Sequence, residues 1–247
     1  MKQTNLIDQA EGKEATDVYT VLPTVKKASL HEPNIELLNI DCLHYMKQCE
    51  DKQFDLAIVD PPYGISINKQ SQGKGGGVAK KIEYTKKDWD SAIPSADYFA
   101  ELKRVSKNQI VWGGNYFVEH LENSPCWVVW DKVNGATDFA DCELAWTSFK
   151  TSVRKIEWKW AGMLQQNMKN KEVRIHPTQK PKALYEWLLM NYAESGNKIL
   201  DTHLGSGSIA LACYNMKMDL VGCEIDKEYF DNANKRLNDY RKQLTLF

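Results

Sequence analysis

The run Lys198-Ile199-Leu200, followed by Asp201-Thr202-His203-Leu204-Gly205-Ser206-Gly207-Ser208, limits the possible folds more than any other part of the chain. A short apolar strand stops at an acid, passes through a glycine turn and enters the helical run Ile209 to Met216. Glycines let the main chain come close to a ligand, and a helix start offers free N–H groups. The next strand, Asp219-Leu220-Val221-Gly222-Cys223, ends at Glu224. That places an acid about twenty residues on, where dinucleotide folds hold ribose hydroxyls. The pattern predicts an open α/β sheet and an adenosine-containing ligand at Asp201, Gly205, Ser206, Gly207 and Glu224, without naming the ligand. The plainer alternative is a glycine turn with Glu224 in solvent.

The rest of the chain extends this alternation. Strands are predicted at Ile35 to Ile40, ending at Asp41, at Phe54 to Val59, Gln109 to Trp112, Trp127 to Trp130 and Cys142 to Trp146. Helices are predicted around Leu43 to Gln48, Ser95 to Ser106, Ala183 to Glu194 and about Asp226 to Gln243. Strands alternating with helices give a doubly wound, mostly parallel sheet. Residues 1–33 are polar without a sustained period and read as a flexible arm. A Gly- and Lys-rich loop is predicted over 66–88, and a polar, basic stretch covers 151–174. With 247 residues, 43% of them hydrophobic, residues 34–247 suffice for one large domain. The six cysteines show no C-x-x-C spacing, so they read as buried thiols in a reducing cytoplasm and no metal site is predicted. No apolar run approaches the roughly 18 residues that span a bilayer, and no signal peptide is visible. A soluble, cytoplasmic protein is expected.

Asp60-Pro61-Pro62-Tyr63 stands at the end of the strand Phe54 to Val59. Ligands of such sheets lie outside the carboxyl ends of the strands. Prolines remove backbone donors and stiffen the loop, leaving carbonyl acceptors. Asp60 and a proline carbonyl can together accept both hydrogens of an –NH2 group, while Tyr63 offers a flat face to a base. An aromatic amine is a weak nucleophile because its lone pair is delocalised. Two acceptors draw the nitrogen toward tetrahedral geometry and expose that pair. Taken alone, an Asp-Pro-Pro string is more often a capped turn beside a packed tyrosine.

Together these stretches resemble a known family. Asp60-Pro61-Pro62-Tyr63-Gly64, then His176-Pro177-Thr178-Gln179-Lys180-Pro181, then Asp201 to Ser208 are similar in kind and order to the beta group of DNA amino-methyltransferases. The stretch Trp127 to Trp146 resembles short phage and prophage members. The resemblance covers about residues 34–240 and implies a circularly permuted, Rossmann-like methyltransferase fold with S-adenosylmethionine as cofactor. It assigns Asp60, Pro61, Pro62 and Tyr63 to the base amine and Asp201, Gly205, Ser206 and Gly207 to the methionine side of the cofactor. Glu224 is assigned to the ribose, Asp41 to the adenine, and Thr178 and Lys180 to the neighbourhood of the cofactor carboxylate. His203 departs from the family's Asp-Pro-Phe turn and stands where an aromatic packs on the methionine moiety. The partner implied is double-stranded DNA, with a flipped base. Adenine N6 is preferred to cytosine N4 because Asp, not Ser, precedes Pro61.

The net charge of −1 means that any DNA surface must come from local clusters. Lys69, Lys74, Lys80, Lys81, Lys86 and Lys87 in the first loop, and Arg154, Lys155, Lys159, Lys169, Lys171 and Arg174 in the second, are the candidates. Trp158 and Trp160 share a strand face that reaches either a groove or the core. An RNA or protein amine methyltransferase, and a non-catalytic DNA-binding module, remain as alternatives. The oligomeric state stays open, a homodimer included.

Overall fold

A computed structural model describes residues 32–66, 90–135, 140–161 and 164–244. The expected arm lies outside these residues except for its last two positions, and the loop at 66–88 lies outside them except for Ser66. In order along the chain come β1 (Ile35–Leu38), α1 (Cys42–Met46), β2 (Phe54–Val59), α2 (Ala96–Val105) and β3 (Ser106–Trp112). They are followed by β4 (Trp127–Asp131), β5 (Cys142–Thr147), β6 (Arg154–Glu157), β7 (Trp160–Ala161) and β8 (Leu164–Gln165). The last elements are α3 (Lys182–Tyr192), β9 (Lys198–Asp201), α4 (Ser208–Met216), β10 (Asp219–Cys223) and α5 (Lys227–Leu244).

Eight strands form one sheet in the order β1-β10-β9-β2-β3-β5-β4-β6. From β1 to β3 all neighbours are parallel, β5 is antiparallel to both β3 and β4, and β6 runs parallel to β4. The expectation of a mostly parallel, doubly wound sheet therefore holds. β2 is a central strand, and it ends where Pro61 and Pro62 could no longer supply ladder donors. Its side chains alternate between two cores. Leu56 and Ile58 face a core completed by Leu184 and Leu188 of α3, Ile209 of α4 and Leu237 of α5. Ala57 and Val59 face Met46 of α1 and Tyr98 and Leu102 of α2.

Local chemistry explains the element ends. Asp41 caps α1 by accepting from His44 N at 2.7 Å. Asp97 sits in the first turn of α2 and Lys103 and Arg104 in its last, each sign matched to the helix dipole. Arg104 also donates to the carbonyls of Met46 and Cys49 at the end of α1, tying the two helices together. Pro181 precedes the first residue of α3, where a missing N–H costs nothing.

Part of the basic stretch 151–174 proves to be scaffold. Arg154–Glu157 is the edge strand β6, and Lys155 is ion-paired to Asp131 and Glu157. The choice left open for Trp158 and Trp160 falls to the core. Trp160 is buried with its indole N–H on Gln179 O at 2.8 Å, and Trp158 packs against the same cluster. Arg174 donates to Pro177 O and lies against the Trp160 ring. A large ring whose N–H needs an acceptor is buried in the core sooner than left in water. All six cysteines are free thiols. Among the described residues no helix is long and apolar enough to cross a membrane.

Candidate active site

The strand order reverses between β9 and β2. From β2 the chain proceeds to β3 on one side, and from β9 to β10 on the other. At such a switch point the loops leave in opposite directions and open a crevice at the carboxyl edge. The register pairs Leu56 with Ile199 and Ala57 with Leu200. The loops that begin at Asp60 and after Asp201 therefore emerge side by side, as the alternation of elements requires.

The glycine turn is built for close approach. Gly205 and Gly207 have φ of +51° and +69°, where a side chain would be strained, and a Cβ on Gly207 would meet that of Ala233 at 3.1 Å. Gly205 N donates to Glu224 Oε2 at 2.8 Å, and Asp226 N to Glu224 Oε1 at 2.9 Å, so Glu224 braces the turn from the end of β10. Arg236 of α5 donates to Ser206 O and Ser208 Oγ and pairs with Glu172. Burial lowers the pKa of Arg236, and Glu172 works against that loss. Asp41 ends up beside Glu224, because Leu38 pairs with Cys223 and Ile40 N donates to Glu224 O.

Asp201 is 2% exposed and accepts from His203 N at 3.0 Å. Burial pushes its carboxyl up to about 8 against that hydrogen bond, with the charges of Asp60 and Glu224 adding to the rise. His203 is half-buried, with Nδ1 2.9 Å from Thr202 Oγ1 and its ring edge-on to Tyr98. Burial lowers its pKa to about 4, so the imidazole is neutral at physiological pH. Thr178 bonds to His176 Nδ1, and the His176 ring lies over Gly205, so the 176–181 segment closes over the turn.

The other half of the site is the loop after β2. Pro61 is buried and Pro62 half-buried. Tyr63 donates to Asp60 Oδ1 at 2.7 Å, and Asp60 Oδ2 accepts from Lys180 Nζ. Burial and the Asp60 charge hold the Tyr63 hydroxyl protonated, well above its ordinary range. Lys180, which the resemblance sets near a ligand carboxylate, is thus clamped on Asp60. Its ammonium also lies 3.2 Å from Glu143 Oε2. One face of Tyr63 is stacked on Tyr116, with centroids 4.9 Å apart and planes 14° apart.

The structure adds residues that the sequence reading passed over. Glu143 is one. β5 runs against its neighbours, so its first residues reach the edge where β2, β3 and β4 end. Lys132, just past β4, is Glu143's second cation. Tyr116 and Gly113 are two more, in a 3-10 turn after β3. An acid inside an apolar strand was the visible signal for Glu143, and a Gly-Gly pair at a strand end was the signal for the turn. Among the described residues no group of three or more His, Cys, Asp and Glu is placed to hold a metal ion.

Comparisons with known proteins find similar sequences and similar folds. The sequence model of a family described as DNA methylase matches residues 130–235. The Type II methyltransferase M.HpaI of Haemophilus parainfluenzae is 24% identical over 242 residues, covering 82% of this chain and 74% of that one. M2.DpnII of Streptococcus pneumoniae is 26% identical over 248 residues, covering 81% and 88%. Among solved structures, the M1.HpyAVI-SAM complex matches with a TM-score of 0.54 at 21% identity, over 83% of this chain and 99% of that one. The cytosine-N4-specific PvuII DNA methyltransferase matches with a TM-score of 0.54 at 13% identity, over 86% and 93%.

Proposed function

We propose that this chain, similar over residues 130–235 to the DNA methylase family and 24% and 26% identical to two Type II methyltransferases, transfers a methyl group from S-adenosylmethionine to the exocyclic amine of a base in double-stranded DNA, adenine N6 in the first reading. One observation carries this reading. The topological switch between β2 and β9 brings Asp60-Pro61-Pro62-Tyr63 against the Asp201–Gly207 turn. An amine acceptor and an adenosine-type site share one crevice.

The residues present suit the cofactor. Asp201 is a buried carboxyl whose charge is suppressed, and a cationic ligand group beside it restores that charge. Gly205 presents a face without a Cβ beneath the His176 ring. Asp201, Gly205, Ser206 and Gly207 would hold the methionine end, Glu224 the ribose hydroxyls and Asp41 the adenine, with Thr178 and His203 at the sides. When bound, the cofactor supplies an electrophilic methyl group on a sulfonium.

The chain's own residues do the rest. Asp60 and the Pro61 carbonyl accept the two amine hydrogens and localise the nitrogen lone pair, with Pro62 stiffening the loop. Tyr63 is the stacking surface for the extruded base. As the N–C bond forms and the S–C bond breaks, the nitrogen becomes cationic. The Asp60 carboxylate offsets that charge and is the nearest acceptor for the proton that must leave. His203, hydrogen-bonded to Thr202, is assigned no proton in this reading, since burial makes its imidazole a weak base.

The base is tested directly. Duplex DNA, RNA and protein are incubated with methyl-labelled cofactor, and the DNA is digested to nucleosides for mass analysis. Label in DNA as N6-methyladenine is the expected outcome. N4-methylcytosine would select the second reading, which the same fold serves in the PvuII enzyme. Label confined to RNA or protein would sink both. Asp60→Ala under saturating cofactor is expected to slow transfer by about 10²–10³-fold or more, the scale of losing one preorganised electrostatic contact.

A further inference from the structure

Glu143 is a charge in the site that the mechanism above leaves unused. Lys132 is ion-paired to its Oε1, and the Lys180 ammonium lies 3.2 Å from its Oε2. Oε2 is sealed from solvent, and among the described residues no donor is aligned on it as a hydrogen bond. Lys180 is instead aimed at Asp60 Oδ2, with its side chain 4% exposed. The walls are indoles. Trp112 lies 5.3 Å from the Lys180 ammonium and Trp130 5.3 Å from that of Lys132, and the two rings meet edge to face. Lys132, Glu143, Lys180 and Asp60 thus form a chain of alternating charge that sums to zero.

This arrangement poses a conflict for amine methylation. The Lys180 ammonium occupies an oxygen of Asp60 that an incoming –NH2 group needs. Tyr63 already donates to the other oxygen, so the amine must share an oxygen, and an ammonium on Asp60 neutralises the negative charge that the amine needs there. A buried ammonium cannot simply be displaced, because a charge left unpaired in an apolar surround costs several kcal/mol. Glu143 offers the exit, since its unaligned Oε2 is already within ion-pair distance.

We propose that Glu143 is a positioning residue for methyl transfer: it takes over Lys180 when the base amine binds Asp60. The inference rests on the reading of Asp60 as the amine acceptor. The hand-over frees Asp60 Oδ2 without stranding a buried cation. It also keeps the Lys180 charge from opposing the positive charge that develops on the amine nitrogen. Glu143 touches neither substrate nor cofactor and acts only through Lys180.

The test is a set of variants read in single turnover on unmethylated duplex DNA, with fold checked by thermal melting. Glu143→Gln leaves Lys180 locked on Asp60. It is expected to lower kcat by about 10²-fold, with KM for S-adenosylmethionine changed by less than about threefold. Glu143→Asp keeps the charge and is expected to keep most of kcat. The decisive variant is the double one. Lys180→Met in the Glu143→Gln background removes the blocking cation, so it is expected to recover at least about tenfold over Glu143→Gln alone. A double variant slower than Glu143→Gln overturns the proposal, as does a Glu143→Gln protein of wild-type kcat. A second readout is independent of turnover. The slowly exchanging 15N resonance of the Lys180 ammonium, identified by its loss in Lys180→Met, should shift and exchange faster in Glu143→Gln. A resonance indifferent to Glu143→Gln overturns the proposal at any activity. A wild-type protein that methylates no DNA, yet whose Lys180 resonance responds, sinks the amine-transfer reading instead.

Discussion

Asp201 is a carboxyl that the fold keeps away from water, and its proton should be visible in stability. Its pKa is about 8 in the folded protein against an ordinary value of 3.8. The folded state therefore holds more proton than the unfolded chain between those values, and stability falls as pH rises through that window. His203 works the other way, with a folded value of about 4 against 6.5. The unfolded chain holds more proton between pH 4 and 6.5, and stability there rises with pH. The two slopes oppose each other below pH 6.5, and above it Asp201 acts nearly alone. Between pH 6.5 and 8 the ligand-free protein is expected to lose roughly 1.5 kcal/mol. Asp201→Asn, a neutral isostere, is expected to abolish most of that slope. Urea unfolding of both proteins at the two pH values measures it, and parallel slopes would show that Asp201 is ionised throughout. The same logic gives this acid its use, because a cationic ligand group turns a destabilising burial into an ion pair.

The turn after β3 is the element on which the Asp60–Tyr63 loop leans. Gly113 has φ of +68°, and a Cβ there would stand 2.6 Å from Cζ of Tyr63 and nearer still to its Cε1. Only glycine lets the strand end slide beneath the ring, and the turn then delivers Tyr116 to stack on it. Gly113→Ala is expected to cost about 1–3 kcal/mol in backbone strain and overpacking. It should cut methyl transfer more than it cuts cofactor binding, since the displaced group is Tyr63. Calorimetry with the cofactor beside a transfer assay separates the two, and equal losses in both would count against this role. The contrast shows what a sequence can reveal. The strand from Lys198 to Asp201, the glycine turn and Glu224 were legible because local spacing fixes them. The end of β2 was legible because two prolines stop any central strand. Glu143 was not, because an apolar run does not say which way it points in a sheet. A forward β5 would have put this acid at the opposite edge. The clamp of Lys180 on Asp60 joins residues 120 apart in the chain, and no local period encodes it.

At the scale of the whole molecule, the order of elements brings two distant stretches to one crevice. The Asp60–Tyr63 loop follows β2 and the Asp201–Gly207 glycine turn follows β9, yet those strands are neighbours in the sheet. The long connection between them adds β3, β5, β4 and β6 on one side, with β7 and β8 in a separate two-stranded sheet, and β1 closes the other side against β10. The chain as a whole offers little attraction to DNA, with a net charge of −1. Of the basic residues in 151–174, Lys155 is ion-paired to two acids and Arg174 is turned inward. Glu172, which would have weakened a basic surface, is turned inward on Arg236. Arg154 is exposed on β6, and Lys169 and Lys171 are exposed on the segment after β8. If the two lysines contact phosphates, each releases about one counterion on binding. The variant Lys169→Gln with Lys171→Gln is expected to weaken DNA binding uniformly across sequences. It should also reduce the slope of log K against log salt by about 2. Cofactor binding should stay as it was, because neither lysine is among the residues assigned to the cofactor. Fluorescence anisotropy over a salt series gives the slope. An unchanged slope would move the phosphate contacts off Lys169 and Lys171.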